Sequence, residues 1–455
     1  QPIELLPSIK KKDIEVVGEY DHITKTEENV SILALPINKM TYIDFRLKID
    51  FTHPLFDYLP LLTSVLCKVG AGEIDEEEMD VFTSLHCAGV NVTLVPQPGL
   101  NDQEDCYAKI SISTKCIDRN IEPTIKILNM ILFEPHLINP ERVKALTKRR
   151  LNVLNSHFQS RGDFLLARLI PAGLTNPSAI QNVASGPYLL RFLNELIEKD
   201  DWNDVCQKLN TVYKEILLKA KVRAFIHTTN VDSPAVGYVK EIVKRLNSNS
   251  ENQPTVVAPP VNKSLFENLK QIYINTNTST SFTAMFCKTV PYMDDSNALY
   301  LVLDELISNE FLHQLVRVKL GAYGAWAIAS SEVGVFSLRS YRDPNPQGCL
   351  DAFKKAIDIC ASGEEMTDEM VDRAIVKVFA SFDSPDAPSQ KGYLDFNGKS
   401  QEIIQKRRNI VLGATRQQLI ELAKKLKEST WRYGILSSQS ISKIPEGFQL
   451  INLTE

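Results

Sequence analysis

No stretch of this 455-residue chain approaches the roughly 18 consecutive apolar residues that span a bilayer. Even the richest, Leu61 to Val69, is interrupted by Thr63, Ser64 and Lys68, so membrane insertion is not expected. Cys-x-x-Cys pairs are also missing. The cysteines at 67, 87, 106, 116, 206, 287, 349 and 360 form no tight cluster, which argues against a zinc knuckle or a disulfide framework. They read as buried reduced thiols in a reducing compartment. Histidine pairs are absent too: the nearest, His136 and His157, are 21 positions apart. A helical metalloprotease site needs two on one face, at i and i+4. No Gly-x-Gly-x-x-Gly, Walker loop or Gly-x-Ser-x-Gly elbow occurs. A basic excess is lacking as well. Lys plus Arg number 51 against 56 Asp plus Glu, a net charge of −5, which disfavours a generally basic nucleic-acid binder. The chain opens on Gln1 with no charged-then-apolar leader, so a processed or excised piece is expected.

What is present is a patterned α+β chain, long enough for two or three cores. Strands are expected at Ile14–Val17, Val30–Leu35 and Tyr42–Ile49, which are β-branched or alternating. Helical spacing runs from Leu55 to Val69 and stops at Gly70-Ala71-Gly72. Asp75 with Glu78 reads as a capping box for a helix through Leu85. Strands at Val90–Val95 and Tyr107–Ser113 follow, then helices at 118–133, 140–157, 163–171 and 188–220. A strand at Val222–His227 and a helix at Ala235–Leu246 end the unit. Ser- and Pro-rich residues 248–264 read as a linker. Beyond it the scheme recurs. Strands are expected at 271–274, 281–288, 325–329, 334–339 and 431–436. A long helix is expected after Asp294, and others at 349–361, 366–380, 401–409 and 416–427. An internal duplication follows, with one domain over 1–247 and a second over 265–455.

The densest unusual segment is Phe311-Leu-His-Gln-Leu-Val-Arg317-Val-Lys-Leu-Gly321-Ala322-Tyr323-Gly324. Arg317 is a permanent cation with five donors. Tyr323 offers a neutral hydroxyl donor at pH 7. Six residues apart across a turn, both could serve one oxyanion or carbonyl. A surface Arg, a half-buried strand Tyr and glycines needed only for the turn would produce the same pattern, and spacing alone leaves both readings open.

A family resemblance decides between them. Cys287-Lys-Thr-Val-Pro-Tyr-Met-Asp294, the 311–324 segment, Gly334-Val-Phe-Ser-Leu-Arg-Ser340-Tyr-Arg-Asp343-Pro-Asn345 and Asp386-Ala-Pro-Ser-Gln-Lys-Gly392 carry it. Leu6-Pro-Ser-Ile with Asp13-Ile14, Tyr58-Leu-Pro-Leu-Leu through Gly70, and Cys116-Ile-Asp-Arg-Asn120 extend it in order along the chain. The chain resembles the C-terminal half of a presequence protease of the pitrilysin, or inverted zincin, class. The family has Gly where this chain has Leu320.

The resemblance implies two homologous domains, each an antiparallel-rich sheet covered by helices, forming one bowl-shaped half of a clamshell. It implies a zinc metalloendopeptidase that degrades cleaved targeting presequences and other short unstructured peptides in a closed chamber. Zinc and its His-x-x-Glu-His motif would belong to the N-terminal half, the partner this chain requires. Arg317 and Tyr323 match the family's cross-chamber catalytic pair, with Gly321, Ala322 and Gly324 as substrate-binding neighbours. Counting back from Gly70 puts Leu61, Ser64 and Val65 at the zinc-motif positions, so this helix would be a degenerate copy and the chain itself would hold no metal. The mitochondrial matrix or another organelle is the implied location. An inactive peptide-binding or scaffold subunit is the other reading, which retention of both Arg317 and Tyr323 argues against.

Overall fold

The computed structural model describes residues 9–49, 53–249 and 261–452. Residues 250–260 of the expected linker, and Leu6-Pro7-Ser8, lie outside them. Among the described residues, twelve strands form two sheets. The first contains β1 (Lys25–Glu27), β2 (Val30–Ala34), β3 (Met40–Ile49), β4 (Val90–Pro98), β5 (Cys106–Ile117) and β6 (Lys221–Thr228). The second contains β7 (Gln271–Asn275), β8 (Phe282–Lys288), β9 (Gly324–Ser330), β10 (Val335–Tyr341), β11 (Arg432–Ser437) and β12 (Gln449–Asn452).

The orders are β1-β2-β6-β3-β5-β4 and β12-β7-β11-β8-β10-β9. Five strands correspond position for position. β2 and β7 run parallel to β6 and β11; β3 and β8 are antiparallel to both neighbours; β4 and β9 are antiparallel edges. Only the opposite edge differs, antiparallel in β1 and parallel in β12. The fold is α+β, as the patterning implies.

Several expected elements differ. Ile14–Val17 is not a strand. Its carbonyls are claimed by side chains instead: Arg408 donates to Glu15 O (2.6 Å) and Val16 O (3.2 Å), and Gln405 donates to Val16 O (2.8 Å). Arg408 is 1% exposed and paired with Asp383, so the segment serves as a lid over a buried cation. The first strand is β1, turned into β2 by Glu28 and Asn29, both at positive φ.

The expected helix over 188–220 is broken. Asp200 adopts φ 50° and Asp201 caps a new helix, accepting from Asp204 N at 3.1 Å. A helix at Asn176–Ser185 and strand β12 had no periodic signal in the sequence. The run expected over 55–69 contains a 3-10 turn, Phe56–Tyr58, then an α-helix of only seven residues, Leu59–Val65. The Asp75 capping box forms as expected, with Asp75 accepting from Glu77 N and Glu78 N.

The sheets bury differently. Ile43, Phe45, Leu47 and Ile49 of β3 and Ile110 and Ile112 of β5 face the first core. Asp44, Arg46 and Lys48, two apart along the same strand, face the other way. The second sheet is apolar on both sides. Tyr273, Met285, Cys287, Phe336 and Leu338 line its own core, while Phe282, Ala284, Phe286 and Leu436 join the first. The covering element there is the helix Gly162–Leu169 from the first repeat. A Cβ on Gly162 would stand 2.4 Å from the Phe282 ring, so only glycine allows that approach.

Candidate functional site

The site begins on the long helix after β8. Asp294 caps it, accepting from Ser296 N at 2.9 Å, and the α-helix Asp295–Leu306 continues as a π-helix over Ile307–Val318. π-Turns this long are rare and recur at functional sites. The helix is tied to edge strand β9 by side chains: Ala327 N donates to Ser308 Oγ (2.8 Å) and Ala329 N to the Asp304 carboxylate (2.7 Å). Burial pushes the Asp304 carboxyl well above its usual range, partly offset by the Ala329 hydrogen bond.

Ile307, Phe311, Leu312 and Val316 anchor the π-helix in the second core, leaving Arg317, Val318 and Lys319 exposed. The chain then reverses. Gly321 N donates to Arg317 O at 3.2 Å and Ala322 N to Val316 O at 3.4 Å. Gly321 takes φ 76°, which favours glycine. Leu320, where the family has Gly, is half-buried against the second core, and the left-handed residue is its neighbour. Tyr323 N donates to Arg342 O at 3.3 Å, and the Tyr323 ring meets Tyr341 edge-on with centroids 5.8 Å apart.

Arg317 and Tyr323 therefore stand at the two ends of one closed turn. Arg317 is exposed and Tyr323 is 70% exposed. Among the described residues neither side chain has a hydrogen-bonding or ion-pairing partner. The other three positions behave unequally. Gly321 is exposed, Ala322 is 3% exposed with its N–H already used, and Gly324 opens β9 half-buried.

Two neighbours were not singled out from the sequence. Tyr341 is flanked by Trp326, at 6.3 Å. Arg161 lies 5.9 Å over the Tyr341 ring, held by Asp163 through bonds of 2.9 and 2.8 Å. Tyr341 lies inside a family-like word. Arg161 comes from the other repeat, and no local pattern could have pointed to it.

The helix Leu59–Val65 does not suit a metal. Leu61 and Val65 are fully buried in the first core, and Ser64 donates to Pro60 O at 2.9 Å. Among the described residues no group of three or more His, Cys, Asp or Glu is arranged to hold a metal ion.

Comparison with known proteins matches residues 1–196 to the associated domain of peptidase family M16, subfamily C, and residues 272–435 to the PreP C-terminal domain. Curated relatives include the mitochondrial presequence proteases of Xenopus tropicalis and Mus musculus. The first is 27% identical over 93% of this chain and 44% of its own length; the second is 28% identical over 98% and 46%. The chain thus spans less than half the length of these relatives. Among solved structures, the peptidase M16 inactive domain from Pseudomonas fluorescens superposes with a TM-score of 0.64 at 12% identity, covering 94% of this chain and 100% of that one. A conserved protein from Enterococcus faecalis gives 0.65 at 13%, covering 91% and 98%.

The fold is accordingly that of a peptidase M16 inactive domain, with two matching mixed sheets. Within that class the chain belongs to the presequence protease family and corresponds to its C-terminal half.

Proposed function

We propose that this chain is the substrate-contacting half of a zinc metalloendopeptidase that degrades cleaved presequences and other short unstructured peptides. Zinc and the zinc-activated water belong to an N-terminal half, on the same or a separate polypeptide. Arg317 and Tyr323 donate to the scissile carbonyl and to the oxyanion that replaces it. Gly321 and Gly324 leave room for the peptide backbone, and Ala322 fixes the turn. Residues 1–247 and 265–455 form the two domains, joined by 248–264. The mitochondrion is the proposed location, following the relatives' names.

The observation that carries this reading is the exposure of two donors at one turn, neither with a hydrogen-bonding or ion-pairing partner among the described residues. Structural members of the same residue types elsewhere in the chain are paired, Arg408 with Asp383 and Tyr393 with Asp44. The test mixes this chain with the zinc-loaded N-terminal half of a presequence protease and follows an unstructured fluorogenic peptide. Cleavage should require both halves. A stable complex without cleavage overturns the proposal in favour of the scaffold reading.

A further inference from the structure

The face of the first sheet turned away from its core carries an unusual ladder. β6, β3 and β5 are adjacent, and their register sets Lys221 opposite Lys48 and Lys48 opposite Lys109. In the next row Arg223 lies opposite Arg46. Five cations thus occupy directly opposed or alternate positions on one surface. Like charges directly opposite one another destabilise a sheet.

Compensation is sparse. Asp44 is paired with Arg46 Nε at 2.6 Å, and its carboxylate also accepts from Ser111 and Tyr393, each at 2.6 Å. Lys109 is 8% exposed, and its amine donates to the neutral Gln97 at 2.8 Å. Burial, Arg46 and Arg223 lower the Lys109 amine to about 8, with Asp44 and Glu332 opposing. Arg223 donates to Phe396 O at 2.7 Å and Lys48 lies 4.8 Å over the Tyr107 ring, both neutral partners. Among the described residues Lys48 and Lys221 have no ion pair. The five side chains and Tyr107 line a cleft of about 220 Å³.

We propose that this cleft binds an extended acidic peptide segment through carboxylates at alternate positions. The spacing supports a peptide. Same-face side chains on a strand lie about 7 Å apart, so Arg46 and Lys48, or Arg223 and Lys221, match two carboxylates at i and i+2 of an extended ligand. Arginine offers bidentate bonds to one carboxylate and lysine a point charge to the next. A peptide anchored there loses affinity with salt, because Lys48 and Lys221 are exposed.

Binding is read on this chain alone, so the outcome is independent of whether the peptidase reading holds. Labelled peptides of alternating Glu-Ser, Gln-Ser and Lys-Ser are titrated by fluorescence anisotropy at low ionic strength and again at about 200 mM salt. The Glu-Ser peptide should bind at low salt and weaken at high salt, and the other two should not bind. Lys48→Gln with Lys221→Gln should weaken binding about tenfold. The same double variant should unfold at the same or a higher temperature, since it relieves repulsion. A Lys424→Gln variant, on a distant helix, should bind normally. Equal binding of the Gln-Ser peptide, an unchanged affinity in the double variant, or a lowered melting temperature overturns the proposal. So does displacement of the peptide by inorganic phosphate or a single-stranded oligonucleotide at equal charge.

Discussion

The helices that follow β3 and β8 occupy equivalent places in the two repeats and have diverged in opposite directions. The first is seven residues long, Leu59–Val65, and sinks into its core. The second runs from Asp295 to Val318, half of it as a π-helix, and ends at an exposed arginine. The difference shows how one architecture can turn equivalent helices to different ends, one buried as packing and one carrying exposed side chains. A helix this short, with apolar Leu59, Leu61, Leu62 and Val65 buried, serves as packing. Lengthening its counterpart, and locking it to an edge strand through Asp304 and Ser308, carries a side chain out beyond the core.

The comparison breaks most visibly if the second helix carries no chemistry. In the reconstituted enzyme, Tyr323→Phe should lower turnover by about 10²–10³-fold, the usual effect of losing one oxyanion donor. The melting temperature should not move, because the hydroxyl has no hydrogen-bonding partner among the described residues. An unchanged rate would reduce Tyr323 to a surface residue. In the first helix the expectation reverses. Leu61→Ala should destabilise by about 2–5 kcal/mol in a denaturant titration, because it opens a cavity in a filled core. A loss below about 1 kcal/mol would mean that the helix is not primarily packing.

The positions of most strands and helices were legible because period-2 and period-3.6 patterns survive wherever one face is buried, whereas the order of the strands within each sheet was not. β8, buried on both faces, still stood out as a short apolar run. The failures have physical causes. Ile14–Val17 looks like a strand, but a buried arginine from residue 408 takes its carbonyls. The 188–220 periodicity is continuous, but Asp200-Asp201 can adopt a left-handed residue and a cap. Arg317 and Tyr323 stood out by type and spacing, yet only the family resemblance chose between the two readings. The π-helix and the Arg161–Tyr341 contact depend on tertiary packing and leave no local signature. The cationic ladder was invisible because its five members come from three strands far apart in sequence, Arg46 and Lys48 meeting Arg223 and Lys221 only through the sheet register.

Asp304 sharpens the comparison, since the first helix has no carboxyl at an equivalent anchor among the described residues. Its folded-state affinity for a proton is raised by burial. Its stabilising contribution is therefore complete at acid pH, below the ordinary carboxylate range, and declines as pH rises toward its elevated folded value. Asp304→Asn keeps a carbonyl to accept from Ala329 N and removes that decline. Urea titrations should show the variant gaining on the natural protein as pH rises from the ordinary carboxylate range. A constant difference across pH would mean that the carboxyl is ionised without penalty.

The smallest expected effect concerns how the two repeats start their helices. Asp75 caps the helix Glu76–His86 with two accepted bonds, and Glu78 accepts one from Asp75 N at 3.4 Å. Asp294 caps the long helix with one backbone bond and one from the Ser296 hydroxyl. Asp75→Ala and Asp294→Ala should each destabilise by about 1 kcal/mol, the ordinary value for a lost N-cap. Their consequences for activity should differ. The Asp75 helix is mostly exposed, with Met79 its one buried residue, so fraying it leaves the donor turn untouched. The Asp294 helix is continuous with the turn that holds Arg317 and Tyr323, and strain or fraying at its start is resisted by the Asp304 and Ser308 ties to β9. Turnover in Asp294→Ala should then fall by no more than a few-fold, and combining it with Asp304→Ala should lower turnover by more than the product of the single effects. Additive losses would show that the helix start and the strand ties position the turn independently.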